Sequence, residues 1–269
     1  MAETKKTSSI GVFDSGIGGL TVVRELLKIL PQEQIVYLGD TARVPYGNKS
    51  RETVQKFSTE NVLFLLHRDV KMIIIACHTA SSFAQPFLGA HFNHPILGVI
   101  EPGVEMAVRA TRNGRIGVIG THATIGSGAY IQAIAKRDLK LKIAQMACPL
   151  FVPLVEEGLV ADPLTYQVAE RYLKPLKAQK VDTLILGCTH YPLLKKVIGE
   201  VMGPGVHLVD SARQVALKAR DVLQELRLEH PVRRGASPDH QFCVTDEPRH
   251  FDVLSRRFLG RGVGNVQKV

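Results

Sequence analysis

Two short stretches put thiols where chemistry is possible. In "MIIIACHTAS" (72–81) an apolar run meets Cys77, His78 and Thr79; in "TLILGCTHYP" (183–192) another meets Gly187 and then Cys188, Thr189 and His190. A lone cysteine on a strand is ordinarily a small buried hydrophobe, and that reading serves for Cys148 and Cys243. Cys77 and Cys188 differ. Each stands at the polar end of its strand, with a histidine within two residues. Each precedes a helix start, whose dipole is expected to lower a thiol pKa from ~8.5 towards neutrality. If two domains each bring one such thiol to a shared cleft, one thiolate can take a proton from one face of a small ligand. The other thiol then delivers a proton to the opposite face, and the roles exchange in the reverse reaction. A symmetrical pair of this kind suits inversion of a stereocentre. Asp14 and His190 are the nearest groups by sequence that could adjust the thiols' protonation, although "DSG" (14–16) is also a reasonable turn and N-cap. His78 reads equally as partner or bystander.

Two further strand ends, "FDSGIGG" (13–19) and "IGTHATIGSG" (119–128), share the plan of Ser or Thr where a helix should start. Singly, each is a helix cap. Together, four helix N-termini converging on one crevice form a site for anions. None of the four contains Lys or Arg, so a carboxylate there would depend on backbone N–H groups, hydroxyls and helix dipoles.

Other chemistries fit less well. "GIGG" (16–19) followed by Asp40 partly matches the dinucleotide fingerprint, but Thr21 occupies the third glycine's place. Cys77, His78, Cys188 and His190 are zinc-ligand types, yet neighbouring residues at a strand end rarely aim both side chains at one point. No strand-end motif offers a Schiff-base lysine for pyridoxal phosphate. Neither metal nor cofactor is expected.

The elements that must hold these residues are short β-branched runs: "IGVF" (10–13), "IVYL" (35–38), "MIIIA" (72–76), "ILGVI" (96–100), "IGVIG" (116–120), "KIAQM" (142–146), "TLILG" (183–187) and "HLVD" (207–210). Amphipathic segments such as "LTVVRELLKIL" and "ARQVALKARDVLQEL" lie between them. This alternation predicts an α/β fold of mainly parallel sheets flanked by helices, with ligands beyond the carboxyl ends of the strands. "IGVFDSGIGG" and "IGVIGTHATIGSG" echo one another, each upstream of its own Cys motif. The expected organisation is two similar domains, residues 1–98 plus 211–269 and residues 99–210, with the site in the cleft between them. The tail after about Arg227 is expected to supply a closing strand and helix, with no chemistry attached.

The totals agree with an enzyme-sized soluble chain. It has 269 residues, 45% of them hydrophobic, and four cysteines without a CxxC pair, which favours free thiols in a reducing compartment. "MAETKKTSS" has no apolar h-region, and no apolar stretch approaches the ~18 residues of a membrane span; the expected address is the cytoplasm. The net charge is +9, with much of the excess in "VRRG", "SRRFLGRG" and "VQKV". It is read as solvated surface, because no aromatic-interleaved basic motif or zinc-finger spacing accompanies it; a nucleic-acid partner is not expected.

From about Ile10 to about Leu226 the chain closely resembles the glutamate racemases of the cofactor-independent aspartate/glutamate racemase superfamily. The residues that carry the likeness are "GVFDSGIGGLTV", "YLGDTARVPYGNKS", "ACHTAS", "GVIGTHATI", "PLVEEG" and "LGCTHYPLL". The resemblance implies two α/β domains, interconversion of L- and D-glutamate to supply D-glutamate for peptidoglycan, no cofactor, and homodimers. It implies that Cys77 acts on the D-enantiomer's proton and Cys188 on the L-enantiomer's. Asp14 would support the first thiol, and His190 with Glu156 the second, Glu157 being the alternative one position on. Substrate contacts would come from Asp14 with Ser15, Tyr46 with Gly47, His78 with Thr79, Thr189 with His190, and Thr121. One departure bears on substrate preference: His78 stands where the family usually has Asn. The other functions open to this sequence are racemisation of a related amino acid such as aspartate and non-catalytic binding of a small anion.

Overall fold

The computed structural model describes residues 5–231 and 238–269. The basic "VRRG" and most of "RRGASPDH" fall outside them. Among the described residues ten strands form two sheets, and every strand pairing within them is parallel. The first sheet takes β1 (Ser9–Asp14), β2 (Ile35–Gly39), β3 (Val70–Ile75) and β4 (Ile96–Gly98). The second takes β5 (Arg115–Gly120), β6 (Lys142–Ala147), β7 (Thr183–Gly187) and β8 (His207–Val209). The tail returns β9 (Gln241–Val244) and β10 (Val266–Lys268) to the first sheet. The sequence suggested a single closing strand; "VQKV" supplies a second one as the sheet's outermost member.

Strand order explains the echo seen in the sequence. The first sheet runs β10-β9-β2-β1-β3-β4 and the second β6-β5-β7-β8. In each, the first strand of the set lies between the second and the third. The chain therefore reverses its direction of travel at β1/β3 and again at β5/β7. Ligands of open α/β sheets gather at such switch points, outside the carboxyl ends of the strands. Asp14 ends the first of those four strands, and Cys77, Thr121 and Cys188 follow the other three.

Burial supplies the driving force. The four central strands are almost wholly buried, as continuous apolar runs covered on both faces should be. One apolar cluster runs through both lobes, from Ile10, Val12 and Ile74 to Ile119, Leu184 and Leu186. The helix Ser211–Glu225 packs against both the helix Leu20–Ile29 and the helix Ile100–Ala110, so it ties the lobes together behind the cleft. Its N-cap is Asp210, whose carboxylate accepts the Ala212 N–H at 2.9 Å. That residue ends the predicted strand "HLVD" one position early and opens the next helix instead. The buried Lys71 of β3 pairs with Glu33 at 2.6 Å and donates to the carbonyls of Lys6 and Leu228. Among the described residues no helix is long and apolar enough to cross a membrane.

Candidate active site

The ends of β1 and β3 bring Asp14, Ser15 and Cys77 together. Cys77 is itself the N-cap of the helix His78–His91: its Sγ accepts the Ala80 N–H at 3.5 Å and donates to Ser15 Oγ at 3.5 Å. Asp14 accepts the Gly16 N–H at 2.9 Å. The capping expectation is corrected here. A Ser or Thr was to open the helix at each of the four strand ends, but only Thr121 does so, accepting from Thr124 N–H at 3.2 Å. The helix Leu20–Ile29 opens at Gly19 without a side-chain cap, and the turn after β7 opens at His190.

The expected depression of the thiol pKa is corrected too. Burial pushes the Cys77 thiol up to about 12, and the neighbouring Asp14 adds to the rise, against the opposing Ala80 amide and Ser15 hydroxyl. Desolvation and a like charge outweigh a single helix terminus. Asp14 is itself raised by burial, against the pull of His190 and of the Gly16 and Gly19 amides.

The second lobe builds a different arrangement. Cys188 follows β7, and its Sγ lies 3.9 Å from His190 Nδ1. The opposite ring nitrogen, Nε2, lies 2.9 Å from Glu156 Oε1. Burial opposes charge on this ring, but its hydrogen bonds to Cys188 and Glu156 prevail and raise His190 to about 10. Glu156 ends the helix Phe151–Glu156. Glu157, offered as its alternative, is exposed and borders an apolar surface groove with Leu150 and Leu164.

Thiols and supporting groups line one cavity of about 320 Å³. Its wall includes Ser15 and Gly16, the segment 44–47, Cys77 to Thr79, Thr121, Glu156 and Gly187 to His190. No lysine or arginine is among the lining residues, and His190 is the only lining group with a raised basic pKa. Close packing across the cleft sets the cavity's shape. A Cβ on Gly18 would meet Thr189 Oγ1 at 2.1 Å, and one on Gly47 would meet Thr121 Cβ at 2.7 Å. Only glycine lets the two lobes approach this nearly. Thr79 Oγ1 lies 3.0 Å from both Thr121 Oγ1 and Thr124 Oγ1, so a cluster of hydroxyls bridges the lobes. Thr21 Oγ1 reaches across to the Thr189 carbonyl at 3.3 Å.

The residues expected in the site border this cavity except Asp14, which stands behind Ser15 and Gly16, and the alternative Glu157. Two side chains are committed elsewhere. The Tyr46 hydroxyl donates to the buried Asp40 and lies 3.2 Å from Asn61 Nδ2, leaving its ring and backbone beside the cavity. His78 Nδ1 lies 2.7 Å from the hydroxyl of Tyr130 in the other lobe, and burial lowers its pKa to about 4, so the ring is neutral at pH 7. Sequence reasoning missed Val44, Pro45, Val152 and Pro153 of the wall, and Tyr130 behind His78. None carries a chemical signal in isolation. Asp40 is also visible only in place: it holds Arg43, Tyr46 and Thr245, and thereby the segment that lines the cavity.

Two thiols, an imidazole paired to a carboxylate, a second carboxyl group and a bridge of hydroxyls make a site for proton transfer on a small polar molecule. Comparison with known proteins points the same way. The family described as Asp/Glu/hydantoin racemase matches residues 10–219. The chain is 49% identical over 261 residues to a glutamate racemase of Geobacter metallireducens, covering 97% of this chain and 96% of that protein. It is similar to the crystal structure of a glutamate racemase isoform from Bacillus anthracis, with TM-score 0.93, 39% identity and 98% of each chain covered. It is also similar to a glutamate racemase from Francisella tularensis solved in complex with D-glutamate, with TM-score 0.91, 39% identity and 98% of each chain covered.

Proposed function

Because the chain belongs to the Asp/Glu/hydantoin racemase family, we propose that it interconverts L- and D-glutamate by passing a proton at Cα between two thiols. The observation that carries this reading is that Cys77 and Cys188, from the ends of equivalently placed strands in two sheets of the same order, line one cavity. Full-length similarity to proteins named glutamate racemase supports the choice of substrate.

The two thiols stand in different surroundings. Cys188 has the His190 ring beside it, its Sγ 3.9 Å from Nδ1, and Glu156 holds that ring at Nε2, so an acid–base group stands next to the sulfur. Cys77, buried beside Asp14, keeps its proton. In the L-to-D direction Cys188, with His190 beside it, accepts the Cα proton of L-glutamate and Cys77 delivers one to the opposite face. The reverse reaction starts with Cys77 deprotonated and Asp14 as its adjacent acid–base group. Thr79, Thr121, Thr189 and the backbone at 46–47 offer neutral donors for the substrate carboxylates, and neutral His78 offers another polar edge. Every proton moved belongs to the substrate or to a side chain of this protein.

We assign residues 1–98 and 211–269 to one lobe and 99–210 to the other; the return of β9 and β10 to the first sheet supports this division. We also place the protein in the cytoplasm, as a homodimer, supplying D-glutamate for peptidoglycan. The deciding experiment is chiral chromatography of L- and D-glutamate incubated with the purified protein, with aspartate alongside. Conversion of either glutamate enantiomer towards the racemate is expected. Binding without turnover, or turnover of aspartate alone, would overturn the reading.

A further inference from the structure

The basic tail acquires a role only in three dimensions. The helix Pro248–Leu259 lies between the tail strands β9 and β10 in the chain, yet its last turn touches the second lobe. Phe258 is fully buried. Its ring stands edge-to-face with the imidazole of His190, with centroids 5.1 Å apart and planes at 80°. The preceding residue, Arg257, sends its guanidinium to the end of the helix Phe151–Glu156. Nη1 donates to the Val155 carbonyl at 3.5 Å and, more closely, to the Glu156 carbonyl. The last carbonyls of a helix lack intrahelical partners, and a cation there also meets the negative end of the helix dipole. The same guanidinium covers Gly158, where an added Cβ would meet Nη2 at 2.6 Å. Arg24 Nη1 in turn donates to the Phe258 carbonyl at 3.3 Å and ties this turn to the first lobe.

One helical turn thus reaches both members of the His190–Glu156 pair from behind. His190 is held at Nδ1 by Cys188 and at Nε2 by Glu156. A ring fixed at two nitrogens can still tilt about the line joining them, and the Phe258 ring packed against it opposes that tilt. Glu156 is partly exposed, with 40% of its side chain accessible, so its aim depends on the backbone that Arg257 pins. Cys77 is held differently, by Ser15 and by its own helix. We infer that Arg257 and Phe258 are positioning residues for the Cys188 half of the cavity, setting the orientation of Glu156 and His190 and through them the reactivity of one thiol of the two. The inference rests on the reading of His190 and Glu156 as the support of Cys188.

The test uses the full-length protein with Arg257→Ala, Arg257→Lys and Phe258→Leu. Arg257 is exposed, so its removal leaves the core intact. Two quantities are read: kcat/KM for glutamate, and the iodoacetamide alkylation rates of Cys77 and Cys188, resolved by peptide mass spectrometry. In Arg257→Ala, a misaimed pair should lower kcat/KM on the order of tenfold. The Cys188 rate should change several-fold while that of Cys77 stays within about twofold. Arg257→Lys should recover most of both effects, because an ammonium can also donate to a carbonyl. Phe258→Leu keeps apolar bulk but loses the ring–ring contact with His190, and should shift the Cys188 rate in preference to that of Cys77. Unchanged Cys188 alkylation in Arg257→Ala, or equal changes at both thiols, would overturn the inference. The alkylation comparison needs no turnover, so a wild-type protein inactive on glutamate would remove the racemase reading and leave this one separately measurable.

Discussion

Replacing Glu156 with Gln changes one charge and almost no volume, which makes it the most telling single perturbation of the site. The carboxylate lies 2.9 Å from His190 Nε2. Hydrogen bonds to charged groups contribute about 1.5–3 kcal/mol. Because 40% of the Glu156 side chain is accessible, solvent screening places this one near the lower end, about 1.5 kcal/mol. Lost from the transition state, that is roughly a tenfold fall in kcat/KM. The pH dependence carries a sign. Burial disfavours the imidazolium, while the bonds to Cys188 and Glu156 hold it to about 10. Without the carboxylate the His190 pKa falls, so the charged form is lost at a lower pH. The alkaline limb of the profile should therefore move down by about one pH unit, at about 1.4 kcal/mol per unit. The penalty should be larger at pH 9 than at pH 7. The assay is racemisation followed by circular dichroism from pH 6 to 10, in both directions. Enantiomers have equal free energies in an achiral solvent, so kcat/KM must be the same in both directions for every variant. A one-sided change shows instead in kcat and KM taken separately. A Glu156→Gln profile that overlays the wild type, with kcat/KM within about twofold, would refute the reasoning.

Four further outcomes are expected. Cys77→Ser and Cys188→Ser should each cut racemisation by about 10³-fold or more, and turnover in deuterium oxide should place deuterium at Cα; protium retained in the product would rule out exchange with the enzyme. In Asp14→Asn, Cys77 stays buried but loses the adjacent charge that raises its pKa, so its alkylation at neutral pH should speed up while glutamate turnover falls; slower alkylation would contradict the assigned electrostatics. Lys71→Met strands Glu33 in the core without its partner at 2.6 Å and should cost about 3–5 kcal/mol by urea denaturation, with Lys71→Met/Glu33→Gln costing less; a loss below about 1 kcal/mol would show that the pair is dispensable.

Much of the site was legible because strand ends carry a compositional mark. Continuous apolar runs such as "MIIIA" and "TLILG" can only be buried parallel strands or short helical segments, and the polar residues that follow them must then lie at a sheet edge. That reasoning located Cys77, Thr121, Cys188 and their neighbours. The wall residues Val44, Pro45, Val152 and Pro153 escaped it because apolar residues in loops look the same whether they line a cavity or a surface. Arg257 and Phe258 escaped for another reason: a basic amphipathic segment near a chain end looks like solvated surface until its neighbour is known. The capping argument misjudged Cys77 itself, since a sulfur at the N-cap position accepts an N–H much as a hydroxyl does.

Local sequence determined the element order, the parallel class of both sheets and the chemical types gathered at the strand ends, because burial of continuous apolar runs and the breaking of helices act over a few residues at a time. Tertiary structure decided which of those groups meet. It aimed His190 at Cys188 and Glu156 but turned His78 towards Tyr130, and it raised the Cys77 thiol instead of lowering it. These outcomes depend on desolvation and on charges brought close by residues far apart in the chain, which no spacing along the sequence encodes.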